Sequence, residues 1–236
     1  MNTVTSAIAS QQWTYAVSGA GFAQLLFPAA DSLITLAMGR GDRCGYIMGN
    51  VGSAESSNIQ PVGWSEFVTL DEDDGRELVD GQLVQIEMPT LAHERAVSVI
   101  HRHLANWAAE NRAGLVLASG YKIRITDARG VMPDVQLLSV ETAAVAANRG
   151  LEHGRPELVV EVVSQSSRRY DRVTKLGWYA SIGVPEYWIV DPEARTVERL
   201  ALHGATYLIA QTATEGTFCP DTFQGLQIPL DEIWSG

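Results

Sequence analysis

The chain contains few cysteines and few basic residues, and each shortage bears on the kind of protein it can be. Only two cysteines, Cys44 and Cys219, occur in 236 residues, too few for a disulfide framework or a cysteine-rich zinc site. Lysine and arginine number 17 against 28 aspartates and glutamates, giving a net charge of −11. This balance argues against nonspecific coating of nucleic acid, which relies on basic side chains. It leaves a nucleic-acid enzyme open, because a cation held by carboxylates inverts the local charge.

Long apolar runs are scarce as well. A transmembrane helix needs roughly 18 or more consecutive apolar residues, and the best candidate, residues 22–38, is broken by Pro28 and Asp31. No lysine or arginine precedes Arg40, so the charged start of a secretory signal is missing. We therefore expect a cytoplasmic protein without a membrane partner.

The patterning of the chain changes near residue 60. Residues 1–60 are rich in serine, alanine and glycine and lack sustained periodicity, which predicts an N-terminal extension of loop or disorder. Residues 61–236 alternate strand and helix patterns, which predicts one α/β domain. Its predicted parts include a hairpin at Asp80-Gly81, a long helix capped by Thr90 and a C-terminal β-hairpin over residues 196–212.

The stretch over residues 156–191 carries the clearest pattern. An apolar run with Glu161 inside it precedes a helical pattern and a second apolar run, which together predict a βαβ unit. A carboxylate within a valine-rich strand needs an explanation, because burying it unpaired costs roughly several kcal/mol.

Asp134 offers one explanation for Glu161. It begins another apolar strand, and the crossover between the two strands allows them to be neighbours. Two carboxylates brought together repel each other unless a counter-charge is present, and Mg²⁺ prefers such oxygen ligands. For either residue alone, a turn or a strand edge is the simpler interpretation, but the pair favours a cation site.

Two further residues are open to two interpretations each. The spacing of Glu77, at the start of the first hairpin, favours an exposed position beside a turn. Lys175 lies four residues after Asp171 on the helix that follows Glu161, where it can form an ordinary ion pair or reach back over the Glu161 strand. The predicted buried side of that helix consists of Val173, Leu176 and Ala180.

Basic residues are clustered in spite of the acidic total. They could contact a polyanion backbone, or they could simply be a solvated helix start, where the helix dipole opposes them; the residues are Arg168, Arg169, Arg172, Lys175, Lys122 and Arg124. His93, at the start of the long helix, is more simply a structural histidine, although a site at that end of the helix could recruit it.

Several of these motifs resemble the Uma-two family of restriction-endonuclease-like proteins, within the PD-(D/E)XK nuclease superfamily. They are ELVDGQLV, the helix with His93, MPDVQLLS, PELVVEVVS and DRVTKLGWYASIGVPEYWIVDPEARTVE. The resemblance covers roughly residues 64–235, and its most specific part is the run from Glu161 to Asp191. It implies a restriction-endonuclease-like fold, with a mixed central sheet flanked by helices.

The resemblance also implies roles for individual residues. Asp134 in the Pro133-Asp134 element and Glu161 would be metal ligands, with the backbone carbonyl of Val162 as a third. Glu77 matches the early acidic residue of the superfamily. The lysine expected two residues after Glu161 is replaced by Val163, and Lys175 matches the lysine that this family places on the following helix.

The sequence therefore favours a Mg²⁺-dependent endonuclease, with Mn²⁺ as an alternative metal and DNA as the expected substrate. The resemblance also raises homodimerisation as a way to cut both strands. A noncatalytic nucleic-acid-binding or assembly protein that keeps the fold is the competing class, favoured by the acidic charge and by Val163. A hydrolase of another phosphate ester is a third, for which the sequence offers no substrate pocket.

Overall fold

Four short strands lie in the N-terminal part of the chain, where loop or disorder is predicted. The computed structural model describes residues 60–71, 74–86, 88–118 and 120–235, and the backbone of these four strands. They pair antiparallel, β1 with β2 and β3 with β4, and are β1 (Thr3–Ile8), β2 (Gln11–Ala16), β3 (Phe22–Leu25) and β4 (Ile34–Ala37). The rest of the prediction for residues 1–60 lies outside the described residues. The chain divides into two compact units, Met1–Asn58 and Ile59–Gly236.

The second unit contains the remaining strands and the helices. The strands are β5 (Arg76–Val79), β6 (Gln82–Gln85), β7 (Leu115–Ala118), β8 (Lys122–Thr126), β9 (Arg129–Val131), β10 (Val135–Leu138), β11 (Gly150–Leu151), β12 (Leu158–Val162), β13 (Glu186–Asp191), β14 (Thr196–His203), β15 (Thr206–Ala213), β16 (Thr217–Phe218) and β17 (Ile228–Pro229). The helices are α1 (Trp64–Phe67), α2 (Leu91–Asn111), α3 (Val140–Val145), a π-helix (Tyr170–Lys175), α4 (Leu176–Ser181) and α5 (Leu230–Trp234).

A six-stranded mixed sheet forms the centre of this unit, in the order β15-β14-β13-β12-β10-β7. Strands β12 and β13 are parallel and are joined through the π-helix and α4, which confirms the predicted βαβ unit. β10 and β12 are antiparallel neighbours, as the explanation of Glu161 requires. β14 and β15 form the predicted C-terminal hairpin.

Alternation along β12 assigns its residues to two faces. Leu158, Val160 and Val162 belong to the core cluster that contains the buried side of α2, including Ile100. Val159 and Val163 belong to a second cluster, with residues of α4 and β8. Because successive side chains of a strand point to opposite faces, Glu161 lies on the face covered by the π-helix and α4.

A five-stranded sheet, in the order β11-β8-β9-β5-β6, packs on the face of β12 that carries Glu161, through residues of β8 and β9. Its β5–β6 hairpin turns at Asp80 and Gly81, which have φ of 49° and 80°, as the favoured two-residue hairpin turn requires. β5 places Glu77 in the interior, with 1% of its surface exposed. Among the described residues, none of the helices combines the length and the apolar character needed to cross a membrane.

Candidate active site

Four separate elements bring the predicted acidic and basic residues to one cavity of about 710 Å³. Glu77 comes from β5, Glu161 from β12, and Lys175 from the end of the π-helix, while Asp134 immediately precedes β10. His93, in the first turn of α2, lines the same cavity. The cavity therefore brings together Asp134 and Glu161, which the strand pattern pairs, with three residues that the pattern alone leaves open, Glu77, His93 and Lys175.

The ammonium of Lys175 lies among three buried carboxylates. Its Nζ is 3.0 Å from Glu77 Oε1, 3.0 Å from Glu161 Oε1 and 3.4 Å from Asp171 Oδ1. Burial alone would lower the pKa of Lys175, but the charges of Glu161, Glu77 and Asp171 together raise it well above its usual value. Both sequence interpretations of Lys175 therefore hold, because it pairs with Asp171 and also reaches Glu161.

Glu161 is the most strongly perturbed carboxyl group of the cavity. Burial raises its pKa well above the usual value, Lys175 opposes that rise, and nearby carboxylates add to it. Its Oε1 accepts hydrogen bonds from Lys175 Nζ at 3.0 Å and from the Tyr179 hydroxyl at 2.6 Å. The presence of Glu161 in a valine-rich strand is thus explained within the protein itself, because two hydrogen-bond donors compensate part of the cost of burying its carboxylate.

Asp134 is held by contacts of a different kind. Its Oδ2 accepts a hydrogen bond from the Val162 amide at 2.7 Å, and its Oδ1 lies 3.3 Å from Nε2 of His93. Burial lowers the pKa of His93, but the contact with Asp134 and the charge of Glu94 outweigh it, and the net shift is upward. His93 therefore belongs to the cavity.

The carboxylate oxygens of the cavity meet part of what a Mg²⁺ site requires. Among the described residues, no group of three or more histidine, cysteine, aspartate or glutamate side chains is placed to hold a metal ion together. One buried oxygen, Glu77 Oε2, nevertheless has no hydrogen-bond partner in the described part of the chain. Carboxylate oxygens are the ligands that Mg²⁺ prefers, and it often takes only one or two of them from protein. The chemistry of these residues fits such an ion.

Three residues of the cavity region were not selected by the sequence analysis as site residues. Asp171 is 3% exposed and pairs with Lys175, Tyr179 hydrogen-bonds Glu161, and the Tyr170 ring lies 5.5 Å from Lys175 Nζ. The four-residue spacing of Asp171, Lys175 and Tyr179 on one helix was the available signal, because it places them on one side.

The orientation of that helix corrects one prediction. Val173, expected on the buried side, is 64% exposed. The helix turns Asp171 and Lys175 towards Glu161, where the charges compensate one another, and this leaves Val173 in solvent. The prediction is wrong for Val173 alone, because Leu176 and Ala180 are partly buried against the second core cluster. The charged residues Asp171 and Lys175 take the interior position expected of Val173.

The predicted basic cluster is largely engaged within the chain. Arg168 pairs with Asp191 at 2.9 Å and with Glu193 at 3.2 Å, and Arg172 pairs with Glu198. Arg124 pairs with Asp127 at 2.9 Å. Apart from Lys175, described above, two members of the cluster remain. Arg169 is exposed on the helix, whereas Lys122 is buried, with 2% of its surface exposed.

Lys122 corrects a second prediction. Its Nζ donates to the carbonyl of Leu70 at 2.6 Å and lies 5.2 Å from the centre of the Phe67 ring. Alternation along the strand YKIRI places it opposite Ile123, but both faces of β8 are covered, so alternation does not lead to solvent. A side chain buried in this way is not available to a polyanion.

Most of the chain, including the cavity residues, matches one known protein family. A family model described as "Uma2: Putative restriction endonuclease" matches residues 64–231. The chain belongs to the Uma2 family. The match includes Glu77, His93, Asp134, Glu161 and Lys175, and it leaves the N-terminal unit outside.

A solved structure supports the fold of the Uma2 domain. It is described as a crystal structure of a "putative nuclease belonging to DUF820" from Anabaena variabilis ATCC 29413. The two chains are 16% identical with a TM-score of 0.60, and the similarity covers 74% of this chain and 98% of the other. No curated protein matches this chain. The predicted restriction-endonuclease-like α/β fold is confirmed.

Proposed function

We propose that the Uma2 domain is a Mg²⁺-dependent endonuclease that hydrolyses phosphodiester bonds in DNA. The observation that carries the proposal is the convergence of Glu77, Asp134, Glu161 and Lys175 from four elements into one cavity. The family description and the nuclease description of the similar structure point to the same class. We also propose that the protein is located in the cytoplasm and forms a homodimer.

The metal would be held by Asp134 and Glu161, with Glu77 and the Val162 carbonyl as further oxygen donors. Bound there, Mg²⁺ would lower the pKa of a water molecule and offset negative charge on the phosphate. The unpartnered Oε2 of Glu77 supports this assignment, because a buried oxygen without a donor is costly unless something binds it.

The chain's own residues supply orientation and charge. Lys175, held at 3.0 Å from Glu161, places an ammonium where negative charge develops on a phosphate. The carboxylate of Asp134 is fixed by the Val162 amide at Oδ2 and by His93 at Oδ1. Its orientation in the cavity is therefore set before a metal binds. His93 thereby acts as a positioning residue, holding the carboxylate on the side opposite the strand amide. Such preorganisation matters because phosphodiester hydrolysis depends mainly on positioning and electrostatics.

Cleavage of supercoiled plasmid DNA tests the proposal. The wild-type chain should convert the plasmid to nicked and linear forms with Mg²⁺ or Mn²⁺ and not with EDTA. Asp134→Asn should reduce the rate by about 100-fold or more, because an amide can still accept from Val162 but is a poor ligand for Mg²⁺. Asp127→Asn is the matched control, since Asp127 has 86% of its side chain exposed.

Two results would contradict the proposal. Equal cleavage by the wild type, Asp134→Asn and Asp127→Asn would indicate a contaminating nuclease. Absence of metal-dependent cleavage by a folded wild-type chain, over single-stranded, duplex and plasmid substrates, would remove the enzymatic assignment.

A noncatalytic role is the second candidate, and one observation favours it. Lys175 already supplies a positive charge between Glu77 and Glu161, so the carboxylates have a counterion without a metal. Titration calorimetry with Mn²⁺ separates the two candidates: the enzyme should release or absorb heat on binding, and Asp134→Asn should not. A wild-type chain that binds DNA but takes up no metal would support the noncatalytic role.

A further inference from the structure

The cavity has two walls of opposite character. One carries the charged site residues. The other, called here the apolar wall, consists of Val84, Ile86, Met88 and Pro89 at and after β6. Val84, Ile86 and Met88 are 44%, 37% and 86% exposed, an unusual position for three large apolar side chains so close together. Side chains of this kind do not bind phosphate, and contiguous exposed apolar side chains mark interaction sites.

The charges that line the cavity limit how much phosphate it can take. Six of the described lining residues are acidic, namely Glu77, Glu94, Asp134, Glu161, Asp171 and Glu193. Against them stand only Lys175 and His93 among the described lining residues. Polyanion binding needs a row of cations along the backbone. Lys175 is already paired with three carboxylates. With the proposed Mg²⁺ bound, the cavity would offer positive charge for about one phosphate group and would repel the next.

Basic residues close to the cavity do not alter this balance. Arg168 is held by Asp191 and Glu193, and Arg172 by Glu198. The site carboxylates are also recessed, with Glu77 at 1% and Glu161 at 3% exposure. A regular duplex keeps its bases stacked inside, so it presents phosphates and no free base face to the exposed apolar wall.

We infer that the apolar wall receives an unpaired nucleobase, so that single-stranded or locally unpaired nucleic acid is the substrate class of this site. The inference rests on the proposed nuclease function. An unpaired nucleotide can turn its base onto Ile86 and Met88 while one adjoining phosphate approaches Lys175.

Fluorescence anisotropy with labelled oligodeoxynucleotides of equal length tests this inference on the full chain. Ca²⁺ replaces Mg²⁺, because it is also a hard cation that takes oxygen ligands. The single strand should bind about tenfold more tightly than the blunt duplex of the same sequence, and a duplex with a bulge should fall between them. Equal or tighter binding of the duplex, or no binding of either, would overturn the inference.

Variants separate the apolar wall from the rest of the site. Ile86→Ser with Met88→Ser should remove most of the preference for the single strand, and the exposure of these residues leaves folding intact. Ile209→Ser on β15 is the control, because Ile209 is 62% exposed and does not line the cavity. A preference that survives the double substitution would refute a role for the wall.

The two assays can fail separately. Single-strand preference without metal-dependent cleavage of any substrate would refute the nuclease function and would leave the apolar wall as a binding site for an unpaired base. Cleavage of duplex DNA by a chain that binds both forms equally would keep the nuclease function and refute the inference.

Discussion

Replacing Lys175 with methionine would leave three buried carboxylates without their counterion. Methionine keeps the unbranched stem of lysine and fills a similar space, so the substitution removes charge with little loss of packing. Glu77, Glu161 and Asp171 are each exposed by 3% or less, and all three lie within 3.4 Å of the ammonium. The variant therefore isolates the electrostatic contribution of Lys175.

The expected loss is large for one substitution. Removing one partner of a buried ion pair costs about 3–5 kcal/mol, because the remaining charge stays buried and unpaired. Here the ammonium serves three carboxylates, and the Tyr179 hydroxyl continues to donate to Glu161. We expect the free energy of unfolding to fall by about 3–5 kcal/mol in EDTA. Adding Glu161→Gln to the variant should restore part of it, since one stranded charge disappears.

The loss should depend on pH in a defined direction. Burial raises the pKa of Glu161 and Lys175 opposes that rise, so in the variant this carboxyl binds a proton more tightly when folded than when unfolded. Stability gained from that proton is fully present below the unfolded pKa and is lost as pH rises through the folded one. The deficit of the variant should therefore be smallest in mild acid and grow towards higher pH.

Urea unfolding in EDTA at about pH 5 and about pH 8 measures both effects. Arg169→Met is the control, because Arg169 is exposed on the same helical segment and makes no ion pair within the described residues; it should change stability by no more than about 0.5 kcal/mol. A Lys175→Met variant as stable as this control at the higher pH would refute the counterion role.

Two further predictions concern stability alone. Tyr179→Phe removes the 2.6 Å hydrogen bond to Glu161 and should lower the free energy of unfolding, measured by urea titration, by about 1–3 kcal/mol. Tyr121→Phe is the control and should lower it less, because the Tyr121 hydroxyl donates to the Ala147 carbonyl in a more exposed position. Gly114→Ala should cost more than about 2 kcal/mol, because Gly114 has φ of 135° and an added Cβ would lie 1.9 Å from the Leu138 carbonyl oxygen. Gly177→Ala in α4, where nothing lies within 4 Å of the added Cβ, should instead raise stability by about 0.5–1 kcal/mol; thermal unfolding that ranks the two variants the other way round would contradict the reasoning.

The parts of the site that lie on neighbouring elements could be predicted from the sequence. Asp134 and Glu161 follow from two apolar strands joined by one crossover, and β10 and β12 do pair. For Lys175, the βαβ pattern predicts only that its helix lies over the sheet; the spacing leaves an ion pair with Asp171 and a reach over the Glu161 strand both open, and the family resemblance points to the second. In each case, a short connection limits where the second element can lie.

The parts that depend on distant elements could not be predicted in this way. Glu77 belongs to a different sheet from Glu161. Its spacing beside a turn predicts an exposed residue, whereas it is 1% exposed, and only the family resemblance draws attention to it. For the basic cluster, the spacing suggests residues that are free to contact a polyanion, whereas Arg168 and Arg172 are paired within the chain. Arg168 and Arg172 find their partners on or beside β13 and β14, and helix spacing contains no information about carboxylates on later strands.

The charge balance of the cavity connects the structure to the two candidate functions. Lys175 neutralises one of the three carboxylates that surround it, and the two remaining charges must be met by protons or by cations. Burial is the largest cause of the raised pKa values of Glu161 and Asp171; the charge of Lys175 opposes the rise, and neighbouring carboxylates add to it. A purely structural ion pair would be satisfied by one carboxylate, and the additional buried acids would destabilise the fold without benefit. The carboxylates beyond those that Lys175 can neutralise therefore leave a charge that either a bound proton or a bound cation can meet, and these two cases correspond to the noncatalytic and the metal-dependent candidates.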